Sequence, residues 1–149
     1  MKIVFIVLFC LNMCSIVFAA PVSGKIGGAG WNMRYGTAST NSFRKDHFSI
    51  ELHETAPPSD VCDKWNFTNE SKILFSAPVT VGDYTLGFCN GCVGYSVTLF
   101  DNRSSYNNIA TKGVIKISSI TASSVKGTLK ADFNSDNFAE GDFEVTLCP

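Results

Sequence analysis

Apolar and polar residues alternate with a period of two along most of this chain. Trp31, Met33 and Tyr35 alternate with Asn32 and Arg34, and Phe48, Ile50 and Leu52 with His47, Ser49, Glu51 and His53. Tyr84, Leu86 and Phe88 form a third apolar ridge, and Val93, Tyr95, Val97 and Leu99 a fourth, with Ser96 and Thr98 on the other side. Successive side chains of a strand point to opposite faces, so each ridge predicts a half-buried antiparallel strand with one apolar and one solvated face.

The C-terminal third carries the clearest pattern. Ile115 and Ile117 oppose Lys116 and Ser118; Val125, Leu129, Ala131 and Phe133 oppose Lys126, Thr128, Lys130 and Asp132; Phe143, Val145 and Leu147 oppose Asp142, Glu144 and Thr146. These segments predict a three-stranded meander, with turns near Ala122-Ser123 and 134–137, where small and polar residues tolerate tight backbone geometry. Lys126 and Lys130 then face Asp142 and Glu144 across the ladder. Exposed pairs of this kind are worth about 0.2–1 kcal/mol each and serve register and solubility.

Two stretches depart from alternation. Residues 54–71 are rich in Pro, Asp, Asn and Ser and hold Pro57-Pro58, Cys62, Trp65 and Phe67, and 101–108 reads as a polar loop containing Tyr106. Strands at this spacing, with no amphipathic helix longer than a turn or two, predict an all-β fold. The expected architecture is a disulfide-stapled antiparallel β-sandwich of about eight strands, with a small up-and-down β-barrel as the alternative.

The N-terminus does not share the pattern. Lys2 precedes a run from Ile3 to Phe18 that is apolar apart from Cys10, Asn12, Cys14 and Ser15, and Val17-Phe18-Ala19 fits the small-residue rule at a cleavage site. We therefore expect a signal peptide over 1–19 and a single all-β domain over 20–149, secreted to an extracellular or periplasmic space. The apolar run falls short of the roughly 20 residues a membrane span needs, and no second one follows. Removing Lys2 with the leader takes the formal net charge from −1 to about −2. With no basic run and no basic amphipathic helix, nothing points to nucleic acid or anionic lipid.

Export makes the remaining cysteines candidates for bridges. Cys62 lies in the long polar stretch and Cys148 one residue from the end, so joining them would pin both. Cys89-Asn90-Gly91-Cys92 places Asn-Gly, a strong type I′ hairpin signal, between two ridges, with the flanking cysteines facing across the turn. Four cysteines allow three pairings; this placement favours Cys62 with Cys148 and Cys89 with Cys92. A redox C-x-x-C belongs at a helix start, which is absent from this pattern, and zinc would need a second closely spaced ligand pair.

Other chemistry is thin. His47 and His53 share one strand face but stand about 20 Å apart at about 3.3 Å per residue, too far to share a metal; Glu51 and His53 are near enough, yet the bland reading is a solvated strand face. There is no G-x-S-x-G elbow to expose a nucleophile, and Glu140 and Asp142 sit beside a predicted turn, where solvation keeps them ordinary. The expectation is therefore no catalytic residue, no metal and no cofactor. Loops on a rigid sandwich are where binding residues tend to lie, which singles out Trp65, Asn66 and Phe67 with Tyr106 and Asn107, as groups able to stack on and hydrogen-bond a glycan or a protein partner. Asn66, Asn69 and Asn102 each begin an N-x-S/T sequon. The expected function is that of a non-enzymatic binding or interaction domain. A carrier of a small apolar ligand inside a barrel, suggested by the 12 Phe, is the alternative, and an enzyme without a legible motif ranks third.

Overall fold

A computed structural model describes residues 20–63, 69–88 and 94–149. The leader, Trp65, Asn66, Phe67, Cys89 and Cys92 lie outside the described residues. Among the described residues eleven strands form in chain order: β1 (Ser23–Ile26), β2 (Ala29–Asn32), β3 (Tyr35–Thr40), β4 (His47–His53), β5 (Lys72–Pro78), β6 (Gly82–Thr85), β7 (Val97–Asp101), β8 (Tyr106–Ala110), β9 (Lys112–Ile120), β10 (Ser124–Asn134) and β11 (Asn137–Leu147). No helix occurs among the described residues, so the all-β expectation holds. In particular, no described helix is long and apolar enough to cross a membrane.

All the strands belong to one hydrogen-bonded sheet, ordered β6-β9-β10-β11-β3-β4-β5-β7-β8, with the β1–β2 hairpin attached through β11. Pairing is antiparallel except where β11 meets β3, Thr146 opposite Thr37 and Leu147 opposite Ala38. The long strand β11 therefore shares one side between β1, at Phe138 to Glu140, and β3, near its end.

The expected sandwich of about eight strands is not clearly what forms; the sheet is a curled half-barrel. Register shifts at Lys126/Gly127 and Asp132/Asn134 are irregularities of the kind that bend a strand and increase its twist. The curl brings Phe75 of β5 edge-on to Phe143 of β11, with ring centroids 5.7 Å apart, although β4 and β3 separate them in the sheet. At the open side, β8 runs into β9 with only Thr111 between them, and Leu86 bridges Tyr95 just ahead of β7.

Concave-facing side chains fill this curl. Trp31, Leu52, Ile73, Leu99, Ile115 and Leu129 are almost completely buried, each contributing roughly 1.5–3 kcal/mol of transfer free energy. The meander is as expected: β9, β10 and β11 turn at 121–123 and 135–136, and Lys126 lies 3.0 Å from Glu144. Lys130 reaches Glu140 at 3.7 Å rather than Asp142, because the ladder sets Asp142 opposite Thr128.

Three local expectations change. The Trp31 ridge breaks at Met33-Arg34 into β2 and β3, and a hairpin precedes it through Gly27-Gly28, both at positive φ. The polar 101–108 segment is a tight turn followed by β8, whose Tyr106 and Asn107 are exposed along the ladder with β7. With both faces of its first residues in solvent, β8 shows no alternation to read. Finally, His47 and His53 are buried rather than solvated, each beneath a tyrosine ring: Tyr35 stacks on His53 at 4.4 Å and Tyr95 lies 6.3 Å from His47.

Cys62 and Cys148 are bonded, with Cα atoms 5.5 Å apart. This half of the expected pairing is in place and is consistent with an oxidising compartment. Because the Cys148 N–H donates to the Ala38 carbonyl at 2.7 Å, the bridge ties the middle of the 54–71 stretch to the β3–β11 seam.

Candidate functional site

Where β4 and β7 end and β5 begins, the 54–71 stretch meets the β7–β8 turn. The Asn102 N–H donates to Ser71 Oγ at 3.2 Å and its side-chain amide to the Asn69 carbonyl at 3.3 Å. These loops and the β1–β2 hairpin enclose a surface cavity of about 380 Å³, lined by Trp31, Glu54, Glu70, Asn102 and Arg103 among others. Trp31 forms its apolar floor and donates through Nε1 to the Ser71 carbonyl at 3.0 Å, which satisfies the one polar atom of a buried indole.

The wall rests on a buried carboxylate. Glu70 Oε2 accepts from the Glu54 and Thr55 N–H groups at 3.2 and 2.9 Å, and Oε1 lies 2.8 Å from His53 Nδ1. The chain needs such a partner because β4 has just ended, leaving those amides without a ladder. With Oε1 accepting, Nδ1 carries the imidazole proton, and Nε2 faces Glu51 Oε2 at 3.8 Å, itself 3.1 Å from Lys72 Nζ. Glu51 and His53 thus do approach each other, but no group of three or more metal-ligating side chains forms among the described residues.

The opposite wall is ordered by Asp101. Its Oδ1 accepts from Arg103 Nε at 2.9 Å and Arg103 N–H at 3.2 Å, and Oδ2 accepts from Ser104 Oγ at 2.7 Å. Burial alone would raise the Asp101 pKa. The Ser104 hydroxyl and the Arg103 guanidinium and N–H outweigh it, holding the carboxyl below its ordinary 3.8. Arg103 also donates to the Ile26 carbonyl, which docks the β1–β2 hairpin onto the turn.

Glu54 behaves oppositely. Burial first, then the neighbouring Glu70 and Asp101 charges, push its carboxyl above the ordinary 4.5, against the lowering effects of the Ser71 N–H and Arg103. A carboxylate held above its normal range at a cavity wall gains from a ligand that donates hydrogen bonds to it.

Gly27 closes the arrangement. Its φ of 57° favours glycine, and a Cβ there would run into the Asp101 carboxylate that Arg103 and Ser104 hold in place. Gly27→Ala is expected to lower stability by about 2–3 kcal/mol, from the left-handed backbone and the displaced carboxylate. A urea midpoint unchanged from wild type would show that the hairpin docks some other way.

Of the residues singled out in the sequence, Tyr106 and Asn107 stand at the start of β8, exposed, just past the turn that supplies Asn102 and Arg103. Trp65, Asn66 and Phe67 lie outside the described residues, though Asn69, which follows them closely, lines the cavity. Trp31, Glu54, Glu70 and Arg103 were not singled out. Trp31 reads as an ordinary ridge residue, and the sign that could have found Glu70 is an acidic residue two positions before the buried strand β5. Asn69 is exposed and Asn102 half-buried, so two sequon asparagines meet at this rim. In comparison with known proteins, no family model, curated sequence or solved structure matches this chain.

Proposed function

We propose that this protein is an exported, non-enzymatic binding domain that takes a polyhydroxylated ligand, such as the end of a glycan, in the cavity over Trp31. The observation that carries the reading is the convergence of the 54–71 stretch and the β7–β8 turn on one cavity. Its polar groups alternate in kind: the Glu54 carboxylate accepts, the Arg103 guanidinium donates, and the Asn69 and Asn102 amides do both. Such mixed pairing suits adjacent hydroxyls, each a donor and an acceptor. The tie to Cys148 and the buried Glu70 preorganise the wall, which reduces the ordering cost of binding.

The carrier alternative has less behind it. Phe75 and Phe143 meet across the interior where an apolar ligand would have to sit.

A glycan array followed by titration calorimetry tests the proposal. Glu54→Gln is expected to weaken the best glycan about tenfold or more at neutral pH, the scale of one hydrogen bond to a charged group. Wild-type affinity should fall as pH drops through the raised Glu54 pKa, that is at a pH above 4.5, and the Gln variant should lack that dependence. Linkage gives the opposite sign for stability: because the folded form holds this proton more tightly, ionising Glu54 costs the fold, so the variant should be slightly more stable at neutral pH. An array without hits, or a variant that binds like wild type, would sink the proposal.

A further inference from the structure

We propose that the end of the sheet opposite the cavity docks on a phospholipid bilayer containing anionic lipid, with Phe43 as the inserted side chain. β4 runs from His47 at this end to His53 beneath the cavity wall, so the two surfaces face opposite ways. Of the seven exposed large apolar residues described, Phe43, Val79 and Val81 stand here, on the β3–β4 and β5–β6 loops. Their neighbourhood follows from contacts: the Val79 N–H donates to the Asp46 carbonyl at 2.9 Å, Tyr84 Oη to the Thr80 carbonyl at 2.7 Å, and Tyr84 packs on Tyr95 at 5.2 Å, which in turn covers His47. Single exposed apolar residues are ordinary on a protein surface, but three at one end are not.

Phe43 is 98% exposed, and its loop holds it there. Asn41 Oδ1 accepts from the Phe43 and Arg44 N–H groups at 2.9 and 3.1 Å, its amide donates to Ser49 Oγ at 3.0 Å, and the His47 N–H closes on the Arg44 carbonyl at 2.8 Å. A loop fixed by this many bonds presents the ring outward instead of folding it onto the core.

The occupant follows from shape and charge. Apolar tips on separate loops offer no continuous flat face or groove for a folded partner, whereas a fluid interface closes around each tip. Arg44 and Lys45 directly follow Phe43 against the single charge of Asp46, while Asp83 faces Lys116 at 3.9 Å, so the Phe43 loop carries surplus positive charge. Cations beside an inserted aromatic ring are the usual combination at anionic headgroups. In the sequence, two adjacent cations make no basic run; only the fold sets them at an apolar end.

Cosedimentation of the oxidised protein with phosphatidylcholine vesicles, with and without phosphatidylserine, tests this. Binding is expected with phosphatidylserine present; Phe43→Ala should reduce partitioning about tenfold or more, in proportion to the apolar area withdrawn. The double variant Arg44→Gln, Lys45→Gln should lose the phosphatidylserine preference, and added salt should mimic it on wild type. Circular dichroism should show both variants folded, since all three side chains stand in solvent. Absence of binding to phosphatidylserine vesicles, or a Phe43→Ala variant that partitions like wild type, overturns the proposal. So does self-association in sedimentation equilibrium that Phe43→Ala abolishes, which would give the surface to a second copy of the chain.

Discussion

Replacing Cys62 and Cys148 together with serine is expected to lower the unfolding free energy by about 4.5 kcal/mol, the chain-entropy value for a loop closed over 86 residues. That is a large part of the roughly 5–15 kcal/mol available to a domain. The loss should exceed that of any single exposed substitution, because two segments are released at once. Cys148 directly follows β11, and Cys62 holds the middle of a stretch whose ends, Glu54-Thr55 and Asn69 to Ser71, form the cavity wall. Near Cys62 its N–H donates to Asp60 Oδ1 at 2.9 Å, and the Asp63 N–H to the Asp60 carbonyl at 3.4 Å. Urea denaturation of oxidised wild type and the double variant, which leaves Cys89 and Cys92 untouched, measures the difference. A loss below about 1 kcal/mol would mean that other contacts pin the stretch and that the bridge adds little.

The bridge itself was legible in part: four cysteines allow three pairings, and the placement of Cys62 and Cys148 favoured the one that forms. Strands with one wet and one dry face were equally visible: Phe48, Ile50 and Leu52 alternate because the sheet covers one side of β4 alone. What escaped was whatever depends on elements closing over each other. The histidines of β4 look solvated by their period, yet Tyr35 and Tyr95 bury them from neighbouring parts of the sheet. Curvature escaped for the same reason, since the bulges in β10 show as one extra residue only when its partner strands are known. The described ends of the 54–71 stretch meet the β7–β8 turn, and the groups that shape the cavity there, Glu70 and Asp101, are acids whose roles come from amides and cations placed by the fold.

Glu70 is where that placement should cost most when removed. Glu70→Ala is expected to lower stability by about 3–5 kcal/mol, since it strips partners from the Glu54 and Thr55 N–H groups and from His53 Nδ1, in a site where water reaches little of the carboxylate. Glu70→Gln separates charge from hydrogen bonding. Its amide oxygen can still accept from the two backbone N–H groups, and its NH₂ can donate to His53 once the imidazole shifts its proton to Nε2, so the expected loss is only about 1 kcal/mol. In that tautomer Nε2–H points toward Glu51, 3.8 Å away, and the Tyr35 stack is undisturbed. Chemical denaturation ranks the variants, and histidine ¹⁵N shifts report the tautomer directly. Equal large losses for Ala and Gln would show that the carboxylate charge itself holds the wall. Equal small losses would show that the cavity wall stands without Glu70, and the preorganisation argued for the binding site would fail with it.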